Sequence, residues 1–96
     1  LSLRGTNITD AGLANFKGCT RLSLLDLGNT KISDAGLEHF KDCEALGHVE
    51  LDRCPRLTGT GLQYLKASTN IYLLLLEETR LADSSMVHLE PFVNLQ

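Results

Sequence analysis

Pairs of apolar residues two apart recur along the chain: Leu1 and Leu3, Leu25 and Leu27, Val49 and Leu51, Leu74 and Leu76. Each pair brackets one outward position, and this period-two alternation predicts a short strand whose paired side chains turn into a core. A second pattern follows each strand. Leu13 and Phe16, Leu37 and Phe40, Leu62 and Leu65, and Met86 and Leu89 are spaced i, i+3. That spacing puts both side chains on one face of a short helix, directed at the strands. Thr9, Ser33 and Thr58 stand where helix N-caps are expected. Asp10 and Asp34 follow in the first turn, where a negative charge suits the helix dipole. In the fourth unit Ala82 replaces the capping hydroxyl, and Asp83 is the expected cap. Between strand and helix, Thr6, Thr30, Cys54 and Thr79 share one position, where a small inward side chain can bond to loop backbone. Gly12, Gly36 and Gly61 are each about 1 kcal/mol poorer in a helix than alanine. Their recurrence predicts that neighbouring units come too close there for a β-carbon.

The patterns belong to one repeat. Residues 25–37 echo residues 1–13 at a shift of 24, and Phe16, Cys19 and Leu22 map onto Phe40, Cys43 and Leu46 at the same shift. The third unit carries one extra residue between Cys54 and Leu57, so its period is 25. The fourth has lost the glycine, and Leu95 opens a fifth that is not present. The motif L-x-x-L-x-L-x-x-T/C-x-(x)-I/L resembles the leucine-rich repeat family over the whole chain. Ile8-Thr9-Asp10-Ala11-Gly12-Leu13 and Ile32-Ser33-Asp34-Ala35-Gly36-Leu37 are similar to that family's "I-T-D-x-G-L" repeats, found in bacterial proteins and in the cysteine-containing repeats of F-box proteins. Leu51-x-x-Cys54-x-x-Leu57-Thr58 resembles the cysteine-containing type, and the Thr6, Thr30 and Thr79 units the threonine type.

One strand and one short helix cannot bury a core alone, but stacked units can. The expected fold is therefore an α/β leucine-rich-repeat solenoid of about four repeats of 24–25 residues. Its coils are right-handed, with a parallel sheet on the concave side and helices on the convex side. Residues 1–96 form a single segment with no polar cap at either end, and are expected to be a piece of a longer solenoid.

Composition narrows the function. Twenty of 96 residues are leucine, and the stack absorbs most of them. A net charge of −3 argues against a nucleic-acid surface and against an anionic membrane surface. The longest apolar run, Ile71 to Leu76, is far short of the roughly twenty residues that span a bilayer. No nucleophile elbow, Gly-rich phosphate loop or dinucleotide fingerprint is present. The chain is therefore read as non-enzymatic and without a cofactor or metal. Cys19 and Cys43, one repeat apart, are read as small buried hydrophobes rather than a disulfide, and Cys54 as buried and inert. Three cysteines without framework spacing point toward a reducing compartment such as the cytoplasm, or toward packed thiols. His39 and His88 are placed on solvent-side helix positions.

The outward positions of the concave sheet fall into columns. Leu24, His48 and Leu73 form the first. Ser2, Asp26, Glu50 and Leu75 form the second, and Arg4, Gly28, Asp52 and Glu77 the third. A rim column adds Gly5, Asn29, Arg53 and Glu78. Neighbours in a column lie about 4.8 Å apart. Asp26 beside Glu50, and Asp52 beside Glu77, therefore place like charges together, a cost unless a partner matches them. Leu24, Leu73 and Leu75 are leucines the fold does not require. The expected contact surface is Leu24, Asp26, His48, Glu50, Asp52, Leu73, Leu75 and Glu77, binding a protein with a basic surface. The F-box resemblance implies an alternative, the substrate-recognition segment of a ubiquitin ligase. A structural spacer attached to a catalytic domain elsewhere is a third.

Overall fold

The computed structural model describes residues 1–79. The expected cap Asp83, the helix pair Met86 and Leu89, His88 and the fifth-unit Leu95 lie outside the described residues. The chain is a small α/β structure built on a three-stranded parallel sheet in the order β1 (Leu24–Asp26), β2 (His48–Glu50), β3 (Leu73–Leu75). The register pairs Leu24 with His48 and Leu73, Leu25 with Val49 and Leu74, and Asp26 with Glu50 and Leu75. These are the columns expected from the repeat. The first expected strand is reduced to one bridge, Ser2 with Asp26, held by Leu3 N donating to Asp26 O at 2.8 Å.

Alternation within the strands decides the layers. Leu25, Leu27, Val49 and Leu51 turn toward the helical side and are completely buried. Leu13, Ile32, Leu37, Phe40, Leu46, Leu57, Leu62, Leu65 and Ile71 close the same core from the other layer. The helices are shorter than the i, i+3 pattern implies. Helix α1 (Asp10–Leu13) and helix α2 (Asp34–Leu37) are single α-turns, each continuing as a 3-10 turn through Phe16 or Phe40. In the third unit the whole segment Thr60–Leu65 is 3-10. A 3-10 turn rises about 2.0 Å per residue against about 1.5 Å for an α-helix. It therefore covers a given length in fewer residues.

The cap hydroxyls behave differently from expectation. Thr9 and Ser33 occupy the N-cap positions, but neither side chain caps its own helix. The third helical turn is preceded by Gly59, not by Thr58, and it too has no side-chain cap of its own. Each junction is instead clasped by the aspartate of the preceding unit, at the cap residue for Asp10 and into the helical turn for Asp34. Asp10 accepts from Ser33 N at 2.7 Å and from the Ser33 hydroxyl. Asp34 accepts from Thr58 N at 3.0 Å, Thr58 Oγ1 at 2.8 Å, Gly59 N at 3.1 Å and Gly61 N at 2.8 Å. Burial pushes the Asp34 carboxyl up, and these amide and hydroxyl donors outweigh it and hold the group below its usual range. The clasp needs close approach. A β-carbon on Gly61 would fall 2.8 Å from Asp34 Cα and 2.9 Å from Asp34 O, and one on Gly36 would meet the Asp10 carboxylate.

The inward Thr/Cys position behaves as the sequence implies. The hydroxyls of Thr6, Thr30 and Thr79 donate to the carbonyls of Leu3, Leu27 and Leu76, each at 2.7 Å. Cys54 is buried and donates instead to Leu27 O of the preceding unit at 3.1 Å. Cys19, Cys43 and Cys54 are all free thiols. Cys43 is buried, and its thiol lies 3.3 Å from Cys19 O. Cys19 is exposed, not buried as expected, because among the described residues only the following unit packs against its own. His39 is half-buried rather than solvent-facing.

Candidate functional site: the uncovered face of the sheet

Side chains alternating with the core residues emerge on the face that the helices do not cover. Arg4 organises this face. Its Nε lies 2.9 Å from Asp26 Oδ2, while its two terminal nitrogens meet the carboxylate of Asp52 at 3.1 and 2.7 Å. Glu50 Oε1 is 3.6 Å from the same guanidinium. Arg4 thus crosses two units, and its path runs over Gly28, where a β-carbon would collide with the guanidinium. A fork of donors on a carboxylate is the strong, geometrically specific form of ion pairing. It raises the Arg4 pKa further above its already high ordinary value. Asp52 is held below the usual carboxylate range, chiefly by the hydrogen bond from Arg4. For Asp26, burial acts upward, but the Arg4 hydrogen bond, the Gly28 amide and the Arg4 charge together carry it below that range.

This arrangement corrects two expectations. Asp26 is not an open contact residue. It is only 8% exposed, and its carboxylate is taken up by Arg4, by Gly28 N at 3.0 Å and by Ser2 Oγ at 3.4 Å. Nor is the Asp26–Glu50 pair left for a partner to neutralise, because Arg4 meets both carboxylates from within the chain. Asp52 is likewise engaged, with its side chain 16% exposed. Glu77 is exposed and makes no ion pair with another described residue. At the rim, Arg53 Nε meets Glu78 Oε2 at 3.2 Å.

The apolar part of the face lies at the start of the strands. Leu24 is 39% exposed, and Leu73 and Leu75 are half-buried. His48 stands between Leu24 and Leu73 in the sheet, with Nε2 buried and 3.5 Å from Glu50 Oε2. Tyr72, not among the expected contact residues, is the most exposed large apolar side chain described, at 50%. Its ring meets His48 edge-on, with centroids 6.4 Å apart and planes at 76°. The ring also lies over Gly47, where a β-carbon would fall 2.9 Å from Tyr72 Cε1. Tyr72 sits just before the Leu-x-Leu alternation, so the strand pattern does not flag it. The apolar run Ile71 to Leu76 is the signal that contains it.

No family model matches this chain, and no curated protein does. Among the described residues there is no cluster of three or more His, Cys, Asp or Glu side chains placed to hold a metal ion. No helix of the described residues is long and apolar enough to cross a membrane. Two surface clefts among the described residues lie away from the apolar part of the sheet face. One of about 410 Å³ is lined by Lys41, Asp42, Gln63, Tyr64, Lys66 and Ala67, between the helical turns. Another of about 280 Å³ lies along the rim loops from Gly5 to Pro55. Neither is enclosed, and neither brings together groups with a chemical division of labour.

Proposed function

We propose that the chain is a segment of a leucine-rich-repeat solenoid that binds a protein partner through the uncovered, concave face of its sheet, without catalysis. Support for the solenoid comes from the equivalence of successive units. The sheet register steps by 24 and then 25 residues, as the repeat does. The Thr/Cys position and the aspartate clasp recur at the same steps.

The observation that carries the binding reading is that Tyr72 and Leu24, both exposed, each neighbour His48, which lies against the Glu50 carboxylate. A stack of this kind needs neither side chain for its core. Large apolar residues left open beside charged ones are the ordinary anatomy of a recognition surface, with an anchoring centre and a polar rim. Asp26, Glu50 and Asp52 are met by Arg4, so the anchors are Tyr72, Leu24, Leu73 and Leu75, with Glu77 giving direction.

Affinity capture with the chain as bait, repeated with Leu24→Arg and with Tyr72→Ala, tests this reading. The partner captured by the parent chain should be lost from both variants, while circular dichroism stays unchanged. A partner retained by both variants removes the sheet face from the account.

A further inference from the structure

The face has two chemically different halves, and their separation constrains what fits. Leu24, His48, Tyr72 and Leu73 make an apolar patch at the start of the strands. Glu77 lies four residues beyond Leu73, in line with the third column. Strand β3 ends at Leu75 and Glu77 opens the turn that follows, so the two halves are at most about 13 Å apart, the reach of four extended residues. The chain also displays the charge chemistry that its acidic columns accept. Arg4 binds them with three nitrogens, Nε on Asp26 and both terminal nitrogens on Asp52. A lysine ammonium, a point charge, cannot reproduce that fork. Arg4 saturates Asp26 and Asp52 but stops short of Glu77, which is exposed and without an ion pair to any described residue. A second copy of this chain is a poor occupant, since a net charge of −3 and the acidic columns would be brought against themselves.

We infer that the face recognises an extended polypeptide segment carrying a large apolar side chain and an arginine about four residues apart. The apolar side chain seats on Leu24, His48, Tyr72 and Leu73, and the guanidinium meets Glu77. This rests on the binding reading above and adds the chemistry of the partner. The anchor supplies affinity by leaving water, and the arginine fixes direction along the strands.

The test uses the whole chain and fluorescein-labelled decapeptides, read by anisotropy. One peptide carries phenylalanine and arginine four residues apart. Others change the arginine to lysine or to glutamate, or bring the two residues next to each other. The spaced arginine peptide should bind about twofold to fivefold more tightly than each of the others. Glu77→Lys should reverse the preference, so that the glutamate peptide outbinds the arginine peptide. Tyr72→Ala should weaken both, and circular dichroism on each variant separates lost binding from lost folding. Peptide affinities that ignore sign, spacing and the Glu77 swap, or absence of binding by the spaced arginine peptide, overturn the inference. If a captured protein still needs Leu24 and Tyr72 but meets them through an acidic or uncharged segment, the binding reading stands and this inference alone falls. If capture ignores Leu24 and Tyr72, both fall.

Discussion

Asp34 shows how much one side chain carries between units. Its two oxygens accept four hydrogen bonds from the next unit, three from backbone amides that open a helical turn. Loss of a capping carboxylate costs about 1 kcal/mol, within a range of roughly 0.5–2. Asp34→Ala should lower urea stability at pH 7 by that amount. The folded state holds this carboxyl below its usual value. Its contribution is therefore present above the unfolded pKa of about 3.9, and is lost as pH falls from there through the folded value. Asp26 and Asp52 have the same sign. Urea midpoints measured from pH 6 down to pH 2 should thus fall in acid, and the gap between parent and Asp34→Ala should shrink below about pH 3.9. A gap that stays constant into strong acid would mean that the carboxylate form is not what the clasp requires. Gly61→Ala meets the same junction from the other side. The atoms it would strike are Asp34 backbone, which cannot rotate away, so a loss of about 1–3 kcal/mol is expected in the same urea assay.

Between neighbouring elements, the stack is held by repeated columns, and this explains what could be read from the chain. The strand register was legible because Leu25, Val49 and Leu74 share a column whose period the sequence displays directly. The Thr/Cys position was legible for the same reason. The clasp was not, because Ser33 and Thr58 also fit the local role of helix cap, and nothing local says that their partners are Asp10 and Asp34 one unit back. Arg4 falls in a column of the repeat, but its reach across Gly28 to a carboxylate 48 residues away depends on an empty position rather than on any residue pattern. The rim column takes a left-handed backbone at Gly5, Asn29, Arg53 and Glu78, with φ between 55° and 71°. Glycine and asparagine advertise that conformation, whereas arginine and glutamate do not. There the amides of Gly5, Asn29 and Arg53 donate to the next unit's carbonyls, so stacking overrides the local preference. The most direct check on the column arrangement is Leu51→Ala. Leu51 is fully buried, and its truncation should cost about 2–5 kcal/mol by thermal or urea denaturation. An unchanged midpoint would place Leu51 on the wrong face.

At the scale of the molecule, one layer is closed and the other is open. The helical layer seals the core, while the sheet presents an apolar patch and an acidic strip that the chain itself partly neutralises through Arg4. Surface charge alone therefore overstates the pull on a basic partner. Affinity should depend more on Tyr72 and Leu24 than on Asp26, and raised salt should slow association more than it speeds dissociation. The candidate face was legible as a face, but its residues were legible only in part. Leu24, His48, Leu73 and Leu75 follow from alternation, whereas Tyr72 precedes the alternation and Asp26 is hidden by a side chain from another unit. The central claim is that the uncovered sheet face is the binding surface. Hydrogen–deuterium exchange of the captured complex tests it most directly. The account predicts added protection in residues 22–28, 47–52 and 72–77, and none in residues 10–17 or 34–41 on the helical side. Protection confined to the helical segments would contradict it.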